Sequence, residues 1–265
     1  MRTRAQVGAG DVDGAAADRL RGERRARRPD RGPPSGARFD YQLGGAHPPA
    51  DGVQVVVRDR TAEPAPGGYP VCYVNAFQTQ PGVAEVPDDL LLRDGGALVA
   101  DPDWPDEHLL DVSTADRQER VADLVGGWID GCADDGFAAV ELDNLDSWTR
   151  SRGLLERADA EATARLLVDR AHAAGLAVAQ KNAPELDGAA LGFDFAVAED
   201  CGAYDECAVF TDAHPVVLDV EYTDEGFAAA CDLADDLAGL SVQRRDLAVS
   251  LPDDPDYVAE WCPAR

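Results

Sequence analysis

The sequence predicts a single (β/α)8 barrel, and three observations carry that expectation. Eight short apolar runs recur from Phe39 onward, separated by loops and amphipathic stretches, the alternation that builds a parallel sheet with crossover helices. Eight is the strand number of a closed barrel, and 265 residues is close to the usual length of one. Nearly every run also ends, on its C-terminal side, in polar or charged residues. Such residues closing a buried strand are costly unless they line a site, and in barrels the site lies at that rim.

Residues 1–37 are Arg, Gly, Ala and Pro with almost no large apolar side chain, so this leader has too little to bury and is expected to be disordered. It also lacks the apolar core of a secretory signal, which leaves three readings: an N-terminus mistranslated from upstream DNA, a signal lost from the sequence, or a genuine Arg-rich arm. The barrel is expected over residues 38–265. Its strand runs are FDYQL from 39, VQVVVRD from 53, VCYVNAF from 71, AAVELDN from 138, LAVAQKN from 176, FDFAVAED from 193, PVVLDVEY from 215 and LAVSLPD from 247. The clearest helices are 115–135, 158–175 and 224–239, with Thr114 and Asp159 as starts and Gly175 and Gly239 as stops.

The formal net charge is −27, although the first 38 residues hold ten Arg against five acids, so the remainder is more acidic still. That surface repels nucleic acid and anionic lipid and attracts a cationic polymer. No apolar run approaches the roughly 18 residues of a membrane span. Six cysteines and no CxxC pair argue against a metal centre, as do four scattered His. Cys201 and Cys207 bracket a polar segment, where a bridge would staple a short loop. Cys231 with Cys262, and less clearly Cys72 with Cys132, are further pairings. An even count suits an oxidising compartment.

Several strand ends carry groups fit for chemistry. In ELDNLDSW, alternation puts Glu141 and Asp143 on one side of the strand, with Asp143 nearer the mouth and Glu141 a supporting group one layer deeper. Asn144 and Trp148 fall on the following loop, where the indole offers a flat face to a sugar ring. Lys181, beside Asn182, is the sole lysine against 23 arginines. A retained ammonium at a strand end suits a compact charge that holds a neighbouring carboxylate, here Asp143, in its charged form. Glu199 closes the sixth run ahead of the Cys201 to Cys207 loop. Glu221 and Tyr222 end the seventh, with Asp219 on the face of Glu221. Asp59 and Asn75 close the second and third.

Paired carboxylates across a barrel mouth suit glycosidic cleavage. The expected pair is Asp143 as nucleophile and Glu199, with no cation in its own segment, as acid and then base, with retention of configuration. No GxSxG, HExxH, GxGxxG or GxxxxGK[ST] occurs, so the usual serine-hydrolase, zincin, dinucleotide and P-loop readings fall away and no cofactor is expected.

The ordered set YQL, VVVRD, VCYVNAF, GFAAVELDNLD, AHAAGLAVAQKN, FDFAVAEDC with YDEC, and PVVLDVEY resembles the endo-α-1,4-polygalactosaminidase family of glycoside hydrolases, from about Phe39 to Tyr222. The resemblance implies a (β/α)8 barrel acting on galactosamine-containing polymers, with Asp143 and Glu199 as its paired acids and an extracellular or cell-surface setting. One departure is Ala198 before Glu199, where the family often has Asn. Competing readings are a glycan-binding barrel without turnover, a hydrolase of another α-linked glycan, and a barrel for phosphorylated metabolites. The last would need a glycine-rich phosphate loop, whereas the chain after Tyr222 reads TDEG.

Overall fold

The computed structural model describes residues 31–81 and 86–263, so the leader expectation for residues 1–30 lies outside the described residues. Pro33 and Ala37 are buried, and the Tyr69 hydroxyl donates to the Arg31 carbonyl at 2.5 Å, so the packed body begins a few residues before position 38.

Eight strands run parallel in chain order: β1 (Phe39–Gln42), β2 (Val55–Asp59), β3 (Tyr69–Asn75), β4 (Ala139–Asp143), β5 (Ala177–Lys181), β6 (Phe195–Glu199), β7 (Val217–Glu221) and β8 (Leu240–Arg245). A short β9 (Ala259–Trp261) pairs antiparallel with β8. Helices α1 (Ala115–Asp135), α2 (Arg157–Ala173), α3 (Gly188–Leu191), α4 (Cys207–Ala213) and α5 (Asp224–Leu233) follow β3 to β7 in turn. No helix lies between β1 and β2 or between β2 and β3. Among the described residues no helix is long and apolar enough to cross a membrane.

Alternation along the strands makes three apolar clusters. Phe39, Tyr41, Val55, Val57, Val71, Ala139, Ala179, Phe195, Val197 and Val220 fill the barrel interior. The opposite faces of β3 to β5 pack on α1 and α2 through Val74, Val140, Leu142, Val125, Ile129 and Leu167. Those of β6 to β8 pack on α4 and α5 through Ala196, Ala198, Val217, Val242, Phe210 and Ala230. Small residues on the inward face of β5 leave room for longer side chains higher in the barrel, which is where Lys181 sits.

Helix starts follow their capping chemistry. The Thr114 side chain accepts from Arg117 N and opens α1. Asp159 is the third residue of α2 rather than its cap: it forms a capping box with Glu156. Gly175 turns out of α2 at φ 89.

One strand lies elsewhere than expected. LAVSLPD from 247 forms turns, with Val249 at φ 48, and its carbonyl receives Gly44 N at 3.2 Å. The eighth strand is β8, and α5 stops at Leu233 to make room for it. Ser241, Gln243 and Arg245 occupy the inward face of β8, so it lacks the apolar period that marks the other strands. These polar residues close the barrel. No backbone ladder joins β8 to β1; instead Gln243 Oε1 accepts from Tyr41 N at 2.9 Å and Nε2 reaches Asp40 Oδ1 at 3.3 Å. Arg245, fully buried, donates to the Tyr41 carbonyl and to Ser250 O and Val258 O. Trp261 Nε1 donates to Phe39 O at 2.6 Å. Side chains thus satisfy the edge groups of β1 that a ladder would otherwise pair.

All three cysteine pairings form: Cys72 to Cys132 ties β3 to α1, Cys201 to Cys207 closes the loop after β6, and Cys231 to Cys262 joins α5 to the chain beyond β9. Non-reduced peptide mapping should recover these pairs. Changing both Cys231 and Cys262 to Ser should lower stability by on the order of 3 kcal/mol in chemical denaturation. Free thiols at Cys201 and Cys207 in the oxidised protein would contradict the arrangement.

Candidate active site

The C-terminal ends of β4, β5 and β6 converge on one ammonium. Lys181 Nζ lies 3.5 Å from Glu141 Oε1, 3.5 Å from Asp143 Oδ2, 3.2 Å from Glu199 Oε2 and 3.2 Å from the Tyr41 hydroxyl. The lysine is only 2% exposed. Burial works to lower its pKa, but attraction from Asp143, Glu199 and Glu141 outweighs it and holds the group well above the ordinary lysine value.

Each carboxyl has its own tyrosine. Tyr41 donates to Glu141 Oε1 at 2.8 Å, Tyr73 to Asp143 Oδ2 at 2.7 Å and Tyr222 to Glu199 Oε1 at 2.5 Å. Burial, reinforced by the nearby carboxylates, raises all three phenols, so they remain donors. Asparagines complete the cradle. Asn144 N donates to Asp143 Oδ1 at 2.8 Å; Asn182 Nδ2 donates to Glu199 Oε2 at 3.0 Å while its Oδ1 receives Glu199 N at 2.8 Å.

A single backbone device aims these groups. Asn144, Asn182 and Asp200, each the residue after a strand's last site group, adopt left-handed conformations at φ 63, 47 and 56. Asn and Asp tolerate that region better than other non-glycine residues. The turn lets their side chains reach a neighbouring strand: Asn144 Nδ2 donates to Asn75 Oδ1 on β3, and Asn182 pairs with Glu199 on β6. Asp200 Oδ1 thereby receives Tyr222 N at 2.9 Å and links the ends of β6 and β7.

Glu141 differs from the other two carboxyls. It is fully buried, its Oε2 has no hydrogen-bond partner among the described residues, and desolvation raises its pKa to about 7 despite Lys181. One cation cannot neutralise three carboxylates, and burial keeps the innermost, Glu141, protonated up to about pH 7.

Two expected residues stand apart. Glu221 faces the outside of the barrel, because Val220 and Tyr222 take the inward positions. Its Oε1 receives Gly202 N at 2.6 Å, and Asp219 Oδ1 receives Cys201 N at 3.2 Å, so these acids anchor the disulfide loop from behind. Burial raises both carboxyls. Trp148, in a short 3-10 turn after β4, packs against the outer core. Asp59 sits at the rim end of β2, accepting from Thr61 and from Gln80 Nε2 at 2.6 Å. Lys181 also touches both paired acids, so it does not single out Asp143 as the sequence reading required.

The sequence reading missed Tyr41 and Tyr73, whose inward parity on β1 and β3 was available, and the loop between β3 and α1. That loop brings Trp104, which is 56% exposed, and Glu107, whose Oε2 accepts from Asn75 Nδ2 at 2.9 Å. Arg150 braces it, paired with Asp101 at 2.8 Å and donating to Asn144 Oδ1 at 2.8 Å. The contacts Glu107 to Asn75 and Arg150 to Asp101 cross long sequence separations that no local motif announces.

The sequence profile of glycoside-hydrolase family GH114 matches residues 21–265. Among solved structures, the chain is similar to Ega3 of Aspergillus fumigatus in complex with galactosamine, with 22% identity, 86% of this chain and 96% of that chain covered, and a TM-score of 0.68. It is also similar to the glycoside hydrolase domain of PelA from Pseudomonas aeruginosa, with 17% identity, 87% and 99% coverage, and a TM-score of 0.56. At these identities the likeness concerns the fold. No curated protein matches significantly in sequence.

The raised Glu141 carboxyl gives stability a specific pH dependence. Its folded pKa of about 7 lies above the unfolded value near 4.3, so its contribution is complete below the unfolded value and is lost as pH rises through about 7. Glu141→Gln, which does not titrate, should therefore gain stability relative to the wild type between pH 5 and pH 8, by on the order of 3 kcal/mol. Denaturation curves whose difference stays constant over that range would contradict a buried, late-ionising Glu141.

Proposed function

Because the chain belongs to glycoside-hydrolase family GH114, we propose that it is an endo-acting hydrolase of α-1,4-linked galactosamine or N-acetylgalactosamine polymer that works with retention through Asp143 and Glu199. The observation that carries the mechanism is that one ammonium touches both carboxylates. The sum of those two contacts is the farthest that Asp143 Oδ2 and Glu199 Oε2 can be apart. It reaches only the lower edge of the roughly 6.5–9.5 Å that inverting enzymes use to hold a water, whereas direct attack needs about 5–5.5 Å.

Asp143 suits the nucleophile. It has the shorter side chain, is 17% exposed, and is held by Tyr73, Asn144 N and Lys181. Glu199 is longer and 27% exposed, which lets it reach the glycosidic oxygen as acid and later activate water as base. Glu141, Tyr41 and Lys181 keep the pair in register from below. Asn75, Asn144, Asn182 and Tyr222 position it from the rim.

The polymer assignment draws on the galactosamine held by the Ega3 structure, the resemblance of the strand-end motifs, and the net charge of −27, which favours a cationic amino-sugar chain. Trp104 offers the flat face for a sugar ring that Trp148, packed on the core, does not. Three disulfides support a secreted or cell-surface protein.

Incubation with partly deacetylated α-1,4-galactosaminan should release internal fragments with new reducing ends, seen by mass spectrometry, and α-configured products in the first turnovers. With an activated substrate and azide, Asp143→Ala should yield a β-glycosyl azide and Glu199→Ala an α-glycosyl azide. The opposite pattern would exchange the two roles, and initial β-configured products would rule out retention. A folded protein that releases no reducing ends would refute the hydrolase reading for this polymer.

A further inference from the structure

The loop between β3 and α1 carries a carboxylate that the two-acid mechanism does not use. Glu107 is fixed through its backbone: its N donates to Trp104 O at 2.8 Å, and its carbonyl receives Asp101 N at 2.9 Å. Its side chain ends a directed chain of hydrogen bonds. Arg150 Nη2 donates to Asn144 Oδ1 at 2.8 Å, Asn144 Nδ2 to Asn75 Oδ1 at 2.8 Å, and Asn75 Nδ2 to Glu107 Oε2 at 2.9 Å. A cation at one end and an anion at the other set the orientation of both amides. This relay runs beside Asp143, since Asn75 is its register partner and Asn144 its successor.

The two ends of the relay are not equally satisfied. Arg150 is neutralised by Asp101 and Asp146 at 2.8 Å each. Glu107 is half-buried with Asp143 and Asp101 as like-charged neighbours, and among the described residues no Arg, Lys or His forms an ion pair with it. Burial, together with those neighbours, raises its carboxyl. A fixed, partly desolvated carboxylate beside Asp143, held directly by an amide and only at longer range by Arg150, is complementary to a cationic ligand group. The sugar carbon that bears the amine adjoins the anomeric carbon that Asp143 is placed to attack, so the amine of that residue comes into reach of a group two hydrogen bonds away.

We infer that Glu107 binds the protonated 2-amino group of a glycosamine unit and sets a preference for the free amine over the acetamide. The inference rests on the amino-sugar reading of the substrate given above. An acetamide carries no positive charge and its carbonyl would face the carboxylate, which disfavours it at this position.

The test compares the wild type with Glu107→Gln, which keeps an oxygen for the Asn75 amide, and with Glu107→Asp. Substrates are fully deacetylated and fully N-acetylated α-1,4-galactosamine oligomers, and binding of galactosamine and of N-acetylgalactosamine is measured by calorimetry. Glu107→Gln should lower kcat/KM on the deacetylated oligomer and weaken galactosamine binding about tenfold to a hundredfold, mainly through KM. It should leave the N-acetylated ligands unaffected, with partial recovery in Glu107→Asp. Equal losses on both substrates, or none, would overturn the inference while leaving the hydrolase reading intact. Glu107-dependent galactosamine binding in a protein that cleaves neither oligomer would uphold the inference and remove that reading. A protein that neither cleaves the oligomers nor binds galactosamine would overturn both.

Discussion

A single buried ammonium organises this molecule's functional end. Lys181 is withdrawn from solvent on an inward strand position, and a charge so placed is tolerated only if opposite charges surround it closely. Three carboxyls do so, from β4 and β6 on either side, with Tyr41 from across the barrel. Arginine would not serve here: its planar fork cannot direct compact contacts to three separate carboxyls and a phenol within one barrel layer. That a chain otherwise using arginine keeps one lysine follows from this geometry.

The cluster holds more negative charge than its cation can neutralise, and the structure divides the excess by depth. Glu141, innermost and desolvated, gives up its proton only near pH 7. Asp143 and Glu199, nearer the rim, are satisfied by phenol, amide and backbone donors in addition to Lys181. The rim is therefore where two anionic oxygens can face a substrate. Preorganisation comes from the left-handed Asn144, Asn182 and Asp200, which tie the end of each strand to its neighbour before the chain departs.

The sequence disclosed the parts of this design that are local. Alternation in AAVELDN placed Glu141 and Asp143 on one face, Glu199 was marked by closing its run ahead of the cysteine loop, and the lone Lys181 stood out by composition. The pairs Asp143-Asn144, Lys181-Asn182 and Glu199-Asp200 combine a site group with a residue suited to a left-handed turn, which explains why they read as motifs. Parity put Asp219 and Glu221 on one face of β7 but could not say which face: the inward positions are Val220 and Tyr222, so the two acids point outward. The eighth strand was hidden for a different reason. Its inward residues are Ser241, Gln243 and Arg245 because they close the seam with β1, so the usual apolar alternation is absent where closure requires polar groups. Glu107 was invisible because its side-chain partner Asn75, itself held by Asn144, lies on another element.

A permanently charged Lys181 holds the carboxyls together, and the composition of the chain allows that charge to be probed directly. With one lysine in the chain, selective side-chain labelling gives a single lysine resonance in the NMR spectrum. Followed with pH, that resonance should retain ammonium character above the ordinary lysine pKa of about 10.4. It should also shift through an inflection near pH 7 as Glu141 ionises beside it. A lysine that loses its proton below its ordinary value, or that shows no change through neutral pH, would contradict the account.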